Sequence, residues 1–371
     1  MISDQTISDR KGWHTEMNKR VLMKGNEAIA EAAVRAGCRH YFGYPITPQT
    51  EIAHYLAKRM AEVDGVFLQA ESEVAAINMV YGAAAAGARV MTSSSSPGIS
   101  LKQEGFSYIA GAELPCVVVN MMRCGPGLGG ILPAQGDYFQ CVKGGGHGDY
   151  HNVVLAPASV QELYELTVEA FNIADRYNVL TMILGDGTTG QSMEPVTFKE
   201  GGENIEKPDK PWAATGRKGN KEHHFITSIY IEPEVLEDLN NRLQAKYRLI
   251  ERREVRVEVF NCENAEIIIT AFGICARIAK NVIKQAEEIG IKVGLIRPIT
   301  LWPFPVDAVA AAAERSSVVS FLDLELNAGQ MVEDVRLAVN GKKPVHFYGR
   351  TGGMIPSQQE VLDQIRKIVG R

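Results

Sequence analysis

A chain of 371 residues is long enough for two domains with separate cores, and its 45% hydrophobic and 22% charged residues have the balance of a soluble globular protein. A formal net charge of −5 leaves no basic face for nucleic acid or for an anionic membrane surface. No apolar run reaches the roughly 18 residues of a membrane span, and even AAINMVYGAAAAGA is broken by Asn78 and two glycines.

The first twenty residues, MISDQTISDRKGWHTEMNKR, are polar and lack an apolar h-region. They are expected to be an N-terminal extension rather than a secretory signal, with Met17 or Met23 as alternative starts. From residue 21 apolar runs alternate with helical patterns. NEAIAEAAVRAGC is expected as a helix, HYFGY as a strand, PQTEIAHYLAKRMAEV as a helix and VFLQAE as a strand. The almost wholly apolar helix SEVAAINMVYGAAAAGA follows, then strand RVMTSS, helix ISLKQEGFSYIAGAE and strand PCVVVNMM. After a long glycine-dense loop come VVLAPAS, VQELYELTVEAFNIADRYN and VLTMILGDG. Strands alternating with helices predict a parallel sheet with helices on both faces over residues 21–195.

Residues 196–262 change character. They are charged and rich in glycine and proline, and include the helical pattern EPEVLEDLNNRLQAKYRLIERREVR, which predicts a linker carrying a surface helix. Alternation resumes over 263–371 with AEIIITAFG, ICARIAKNVIKQAEEIG, KVGLIRPIT, VDAVAAAAERS, SVVSFLDLE, MVEDVRLAVN and PVHFYG, a second and smaller α/β domain.

Several places carry chemistry. In YFGYPITPQT, Pro48 at the first helical position makes Thr47 the expected N-cap, and Pro45 ends the preceding strand. That corner lies at the carboxyl end of a strand, where open α/β sheets bind ligands and helix N-termini attract anions. Arg123 ends PCVVVNMM at another carboxyl end and could fork a carboxylate. Glu73 opens a helix whose next thirteen residues carry no charge, so its carboxylate sits between a favourable helix dipole and an apolar surround, a setting for proton chemistry. Glu71 is expected to point away. SSSSPG (93–98) offers hydroxyls and backbone N–H groups between a strand and a helix.

Other signals are weaker. GPGLGG contains Pro126 and is followed by no apolar helix, which argues against a dinucleotide turn. His147, Asp149 and His151 have metal-like spacing on a glycine-rich loop without a further ligand cluster. No G-x-S-x-G elbow is present. GDGTTG (185–190) begins like a magnesium–diphosphate motif but lacks the asparagine pair that completes one, leaving a strand-end turn. The six cysteines (Cys38, Cys116, Cys124, Cys141, Cys262 and Cys275) form no C-x-x-C pair, so neither zinc ribbon nor iron–sulfur cluster is expected. They read as reduced, mostly buried thiols of a cytoplasmic protein.

KGNEAIAEAA, GYPITPQTEIAHYL, LQAESEVAAINMVYGAAAAGARVMTSSSSPGISLKQEGFSYIAGAELP and GPGLGG resemble the alpha-type subunit of 2-oxoacid:ferredoxin oxidoreductases. The branched-chain, 2-oxoisovalerate type is the nearest within it, with the 2-oxoglutarate type next; RPITLWPFP and ELNAGQM extend the likeness to the second domain. The resemblance implies a thiamine-diphosphate-enzyme pyrimidine-binding domain followed by a transketolase C-terminal-like domain. It implies that Thr47 and Arg123 hold the substrate carboxylate and that Glu73, its register fixed by Val80-Tyr81-Gly82, contacts the cofactor pyrimidine. It places diphosphate, Mg2+ and [4Fe-4S] clusters on partner chains: a thiamine-diphosphate-binding beta subunit, a gamma subunit and a ferredoxin-like iron–sulfur subunit, in a dimer of heteromers. The implied reaction is oxidative decarboxylation of a 2-oxo acid, with the acyl group passed to CoA and electrons to ferredoxin. Two other readings remain at this level: the beta-type component of a lipoamide-linked 2-oxoacid dehydrogenase, and a non-catalytic α/β scaffold.

Overall fold

The structure, a computed structural model, describes residues 20–199, 202–216 and 223–370; all of the expected N-terminal extension except Arg20 lies outside the described residues. Its first elements are β1 (Val21–Lys24), α1 (Gly25–Arg35), β2 (His40–Gly43), α2 (Thr50–Glu62), β3 (Val66–Gln69) and α3 (Glu73–Ala85). Then come β4 (Val90–Ser94), α4 (Ser96–Gly111), β5 (Cys116–Met122), α5 (Tyr138–Val142), β6 (Val153–Leu155) and α6 (Val160–Tyr177). β7 (Leu180–Asp186), α7 (Gly187–Gln191), β8 (Met193–Val196) and α8 (Pro233–Arg253) lead to the second half. That half holds β9 (Val257–Phe260), β10 (Ile267–Thr270), α9 (Gly273–Glu288), β11 (Val293–Pro298) and β12 (Thr300–Trp302). The chain closes with α10 (Val306–Ala313), β13 (Ser320–Glu325), α11 (Met331–Val339), β14 (Val345–Gly349) and α12 (Gln358–Val369).

Seven strands form the larger sheet in the order β12-β6-β7-β5-β4-β2-β3. All its pairings are parallel except β12 with β6. Its centre, β5 and β7, is buried along every residue, as expected for strands covered by helices on both faces. The smaller sheet runs β14-β13-β10-β11-β9, parallel apart from the edge strand β9. The α/β fold class expected from the sequence is therefore found, and β1 with β8 adds a short antiparallel ribbon.

Two details depart from simple alternation. The strand β12, inside the expected second domain, joins the first sheet by pairing Thr300 with Leu155 and Trp302 with Val154. The segment expected to link the domains also contributes β9 to the second sheet. Helix α8 lies across the first domain, burying Leu239, Leu243, Tyr247 and Ile250, a stripe at helical spacing on an otherwise charged helix. Leu243→Ala is expected to cost about 2–4 kcal/mol, read as a lowered urea midpoint at unchanged m.

Candidate active site

Four neighbouring strands of the larger sheet, β5, β4, β2 and β3, end on the same side. Their carboxyl ends deliver Arg123, the serine turn 93–96, the Thr47 corner and Glu73 in that order. The topology therefore gathers Thr47, Glu73, the serine turn and Arg123 onto one edge of the sheet, the position at which α/β proteins bind ligands.

The Thr47 corner differs from expectation. Helix α2 begins at Thr50 with Gln49 as its N-cap, so Thr47 is not the cap and Pro48 is not the first helical residue. The reason lies in the hydrogen bonds. Gln49 N–H donates to the Ile46 carbonyl at 3.2 Å, closing a turn before the helix, and Ile52 N–H donates to Gln49 rather than to Pro48. The freed Pro48 carbonyl accepts from Asn26 Nδ2 at 2.7 Å and Gln191 Nε2 at 3.1 Å. Gln49 is buried and ties the corner to the sheet: Ser93 Oγ donates to its Oε1 at 2.5 Å, while Tyr41 Oη and Ser93 Oγ are 2.7 Å apart. Thr47 itself is exposed at the tip.

Arg123 follows β5 directly and is buried, with 8% of its surface exposed. Its Nη1 donates to the Thr47 carbonyl at 3.1 Å and its Nη2 to the Leu128 carbonyl at 3.2 Å. Thr47 and Arg123 are thus in contact, through the threonine backbone. The guanidinium Nε is buried without a partner, which leaves donor capacity unused at a site where an anion would satisfy it. Behind it, Arg123 N–H donates to Ser96 Oγ at 3.1 Å, and Ser96 Oγ donates to Asp137 Oδ2 at 2.6 Å. Asn120 Nδ2 reaches the same Asp137 oxygen at 2.9 Å. Burial pushes the Asp137 carboxyl up, and the bonds from Ser96 and Asn120 offset part of that rise.

Glu73 is the first residue of α3, whose N-cap Ser72 accepts from Ala75 N–H at 3.1 Å. It is buried, while Glu71 is exposed, as the sequence reading expects. Its carboxylate rests against α4 where that helix has no side chain: a Cβ on Gly98 would fall 2.6 Å from Glu73 Oε1 and 2.1 Å from Ser94 Oγ. Gly98→Ala is accordingly expected to destabilise by about 1–3 kcal/mol through overpacking and to lower activity by displacing Glu73. Matched thermal melts and turnover measurements test both parts. The hydroxyls of Ser94 and Ser95, in the turn between Glu73 and Arg123, are buried and unpartnered.

Beside Arg123 opens a cavity of about 600 Å³, lined among others by Ser96, Ser100, Asp137, Asn327 and Gln330. Neither Thr47 nor Glu73 lines it. The second domain closes one wall because Gln135 bridges the two, its Nε2 donating to the Phe272 carbonyl at 2.9 Å and its Oε1 accepting from Leu326 N–H at 3.0 Å.

The weaker motifs resolve into structure. Asp186 of GDGTTG caps α7, accepting from Thr189 N–H at 2.9 Å and Thr189 Oγ1 at 3.0 Å, and from Ile274 N–H at 3.3 Å. Its oxygens are committed to the protein. His151 stacks on Trp302 with ring centroids 4.6 Å apart. Among the described residues no group of three His, Cys, Asp or Glu could hold a metal ion. All six cysteines are buried and free.

A buried acid at a helix start, set against a glycine of the next helix, and an arginine with an orphaned donor thus lie on the same edge of the sheet. Residues 31–258 match the family described as pyruvate flavodoxin/ferredoxin oxidoreductase, thiamine-diphosphate-binding, and residues 265–361 match the pyruvate:ferredoxin oxidoreductase core domain II. The chain belongs to the thiamine-diphosphate-binding pyruvate flavodoxin/ferredoxin oxidoreductase family. Within it, the chain is 50% identical to ketoisovalerate oxidoreductase subunit VorB of Methanothermobacter thermautotrophicus, over 94% of this chain and 98% of that one. It is 39% identical to 2-oxoglutarate synthase subunit KorA of Archaeoglobus fulgidus, over 88% and 94%. The solved 2-oxoglutarate:ferredoxin oxidoreductase of Magnetococcus marinus superposes with a TM-score of 0.85 at 25% identity, covering 94% of this chain and 65% of that one. Glu73 and Arg123 stand at the carboxyl edge of the sheet, whereas the oxygens of Asp186, at the end of β7, are already taken by Thr189 and Ile274.

The sequence alone did not bring out Gln49, Lys102 or Asp137. Each is a polar side chain held by partners on other elements, which no local pattern reveals.

Proposed function

We propose that this chain is the alpha-type subunit of a heteromeric 2-oxoacid:ferredoxin oxidoreductase acting on a branched-chain 2-oxo acid such as 2-oxoisovalerate. The reaction is R–CO–COO− plus CoA–SH giving R–CO–S–CoA, CO2, one proton and two electrons, the electrons leaving one at a time to ferredoxin. The observation that carries this reading is Glu73, a buried carboxylate held at the start of α3 against Gly98 at the sheet edge that also holds Arg123.

Bound thiamine diphosphate supplies the electron sink for loss of CO2. Glu73 then offers a hydrogen-bond partner, already desolvated and aimed, to a ring nitrogen of the pyrimidine, and holds or releases a proton there. Arg123 uses two N–H groups to fix the Thr47 and Leu128 carbonyls. This holds the PITP corner against the serine turn, and the unpartnered Nε supplies a donor for the substrate carboxylate. The exposed Thr47 hydroxyl is the second donor of that clamp.

Diphosphate, Mg2+ and the [4Fe-4S] clusters fall to the beta, gamma and ferredoxin-like partner subunits, in keeping with Asp186 being committed and with the scattered, buried cysteines. A cytoplasmic location accompanies this reading; no helix of the described residues is long and apolar enough to cross a membrane. Among the described residues that line the cavity Arg123 is the one cation, so this wall offers no second cation to the distal carboxylate of 2-oxoglutarate, which favours an aliphatic side chain.

The deciding experiment is viologen or ferredoxin reduction by the assembled complex against a panel of 2-oxo acids. 2-Oxoisovalerate is expected to give the highest kcat/KM, and a preference for 2-oxoglutarate or pyruvate would overturn the substrate assignment. Because this chain holds only one side of the cofactor, the isolated subunit is expected to bind thiamine diphosphate at least about a hundredfold more weakly than the complex, some 2.7 kcal/mol. Calorimetry showing equal affinities would contradict a shared site.

A further inference from the structure

Helix α4 buries a lysine and exposes a leucine beside it: Lys102 is fully buried, whereas Leu101 is 54% exposed. The lysine Nζ donates to Thr92 Oγ1 on β4 at 3.0 Å and to the backbone carbonyl of Glu73 at 3.5 Å. Among the described residues these two neutral acceptors are its partners, which leaves one of its three donors without one. A buried ammonium held this way opposes folding, and methionine would fill the same space without that cost. The charge therefore calls for a role in function.

Placement supplies one. Gly98 and Lys102 lie one turn apart on the same face of α4. Gly98 leaves room for the Glu73 carboxylate, Lys102 grips the carbonyl of the same residue, and Gly105 lets Ile77, one turn further along α3, pack closely. The whole α3-facing stripe of α4 is thus arranged around Glu73. We infer that Lys102 is a positioning residue for Glu73, fixing the first turn of α3 and supplying a cation to the carboxylate it carries. The inference rests on the reading of Glu73 as the acid that meets the cofactor pyrimidine. Burial pushes the Lys102 ammonium down to about 8, and the charge of Glu73 acts against that fall. Glu73 is the acid facing it from α3; β4 presents the neutral Thr92, and Glu104 on its own helix is exposed.

The test is Lys102→Met in the assembled complex, read by thermal midpoint, by the pH profile of kcat/KM and by calorimetric affinity for thiamine diphosphate. The midpoint is expected to hold or rise. Affinity for the cofactor and kcat/KM at pH 7 are expected to fall about tenfold each. The alkaline limb that follows loss of the lysine's proton is expected to disappear, because methionine has no proton to lose. Superimposed pH limbs, or losses no larger than a fall in thermal stability explains, would overturn the inference. Should that variant fail to assemble, Thr92→Val removes the lysine's hydroxyl acceptor while keeping the charge. It is expected to move the alkaline limb to lower pH, and an unmoved limb is again a refutation. If these fail while Glu73→Gln remains inactive, this inference alone falls; an active Glu73→Gln complex removes the functional reading beneath it.

Discussion

Glu73→Gln is expected to reduce turnover of the assembled complex by about 10²–10⁴-fold while leaving its assembly intact. Glutamine keeps the length and shape of the side chain, so it still fits against Gly98, and Ser72 still caps α3. What it loses is the ability to exchange a proton with a ligand nitrogen. The thermal midpoint is expected to drop modestly, since Lys102 then lies under a neutral group. Steady-state viologen reduction and a melting curve on the same preparation separate chemistry from folding. Wild-type turnover in this variant would leave the chain as a scaffold rather than a contributor to catalysis.

The second large effect is expected at Arg123. Arg123→Lys should raise KM for the 2-oxo acid at least about tenfold, because an ammonium cannot reproduce the planar fork. The geometry adds a further effect. The wild-type guanidinium reaches the Thr47 and Leu128 carbonyls at once, two segments far apart in the chain, and one lysine nitrogen cannot span both. The corner carrying Thr47 then loses its tie to the loop, so kcat should fall along with the rise in KM. A variant with normal KM would exclude Arg123 from carboxylate binding. Thr47→Ala, which deletes a hydroxyl at an exposed tip and no backbone bond, is expected to give a smaller rise of about two- to fivefold by the same assay.

The strand and helix series was readable because covered parallel strands form continuous apolar runs, and the helices between them carry helical periodicity. Glu73 was readable for a related reason, being the one charge at the head of a long apolar helix. What escaped had its cause elsewhere in the chain. The start of α2 depends on Asn26 and Gln191 claiming the Pro48 carbonyl, and neither is near it in sequence. Lys102 was not singled out, because nothing near it in the chain decides that α4 buries the lysine and exposes Leu101; the close approach of α3 does. β12 is three residues long and takes its identity from β6. The C-terminal helix α12 is a different matter. Its Ser357–Glu360 capping box and its buried Val361, Leu362 and Ile365 are local signals, yet the expected series ends at PVHFYG.

The crossing of β12 into the larger sheet limits how this chain can be divided. Arg297, on the strand just before it, forks Glu162 of α6 at 2.7 Å through each of two nitrogens, so the crossover is riveted as well as zipped. Ending the chain near residue 262 would strip β6 of β12, its partner on the outer side, and leave an unpaired apolar edge, the kind that templates aggregation. The same cut would leave the Glu162 carboxylate without its arginine. A fragment carrying the first domain alone therefore begins with a sticky border and a missing counter-charge. Dissection of this subunit is better done by point substitution than by truncation.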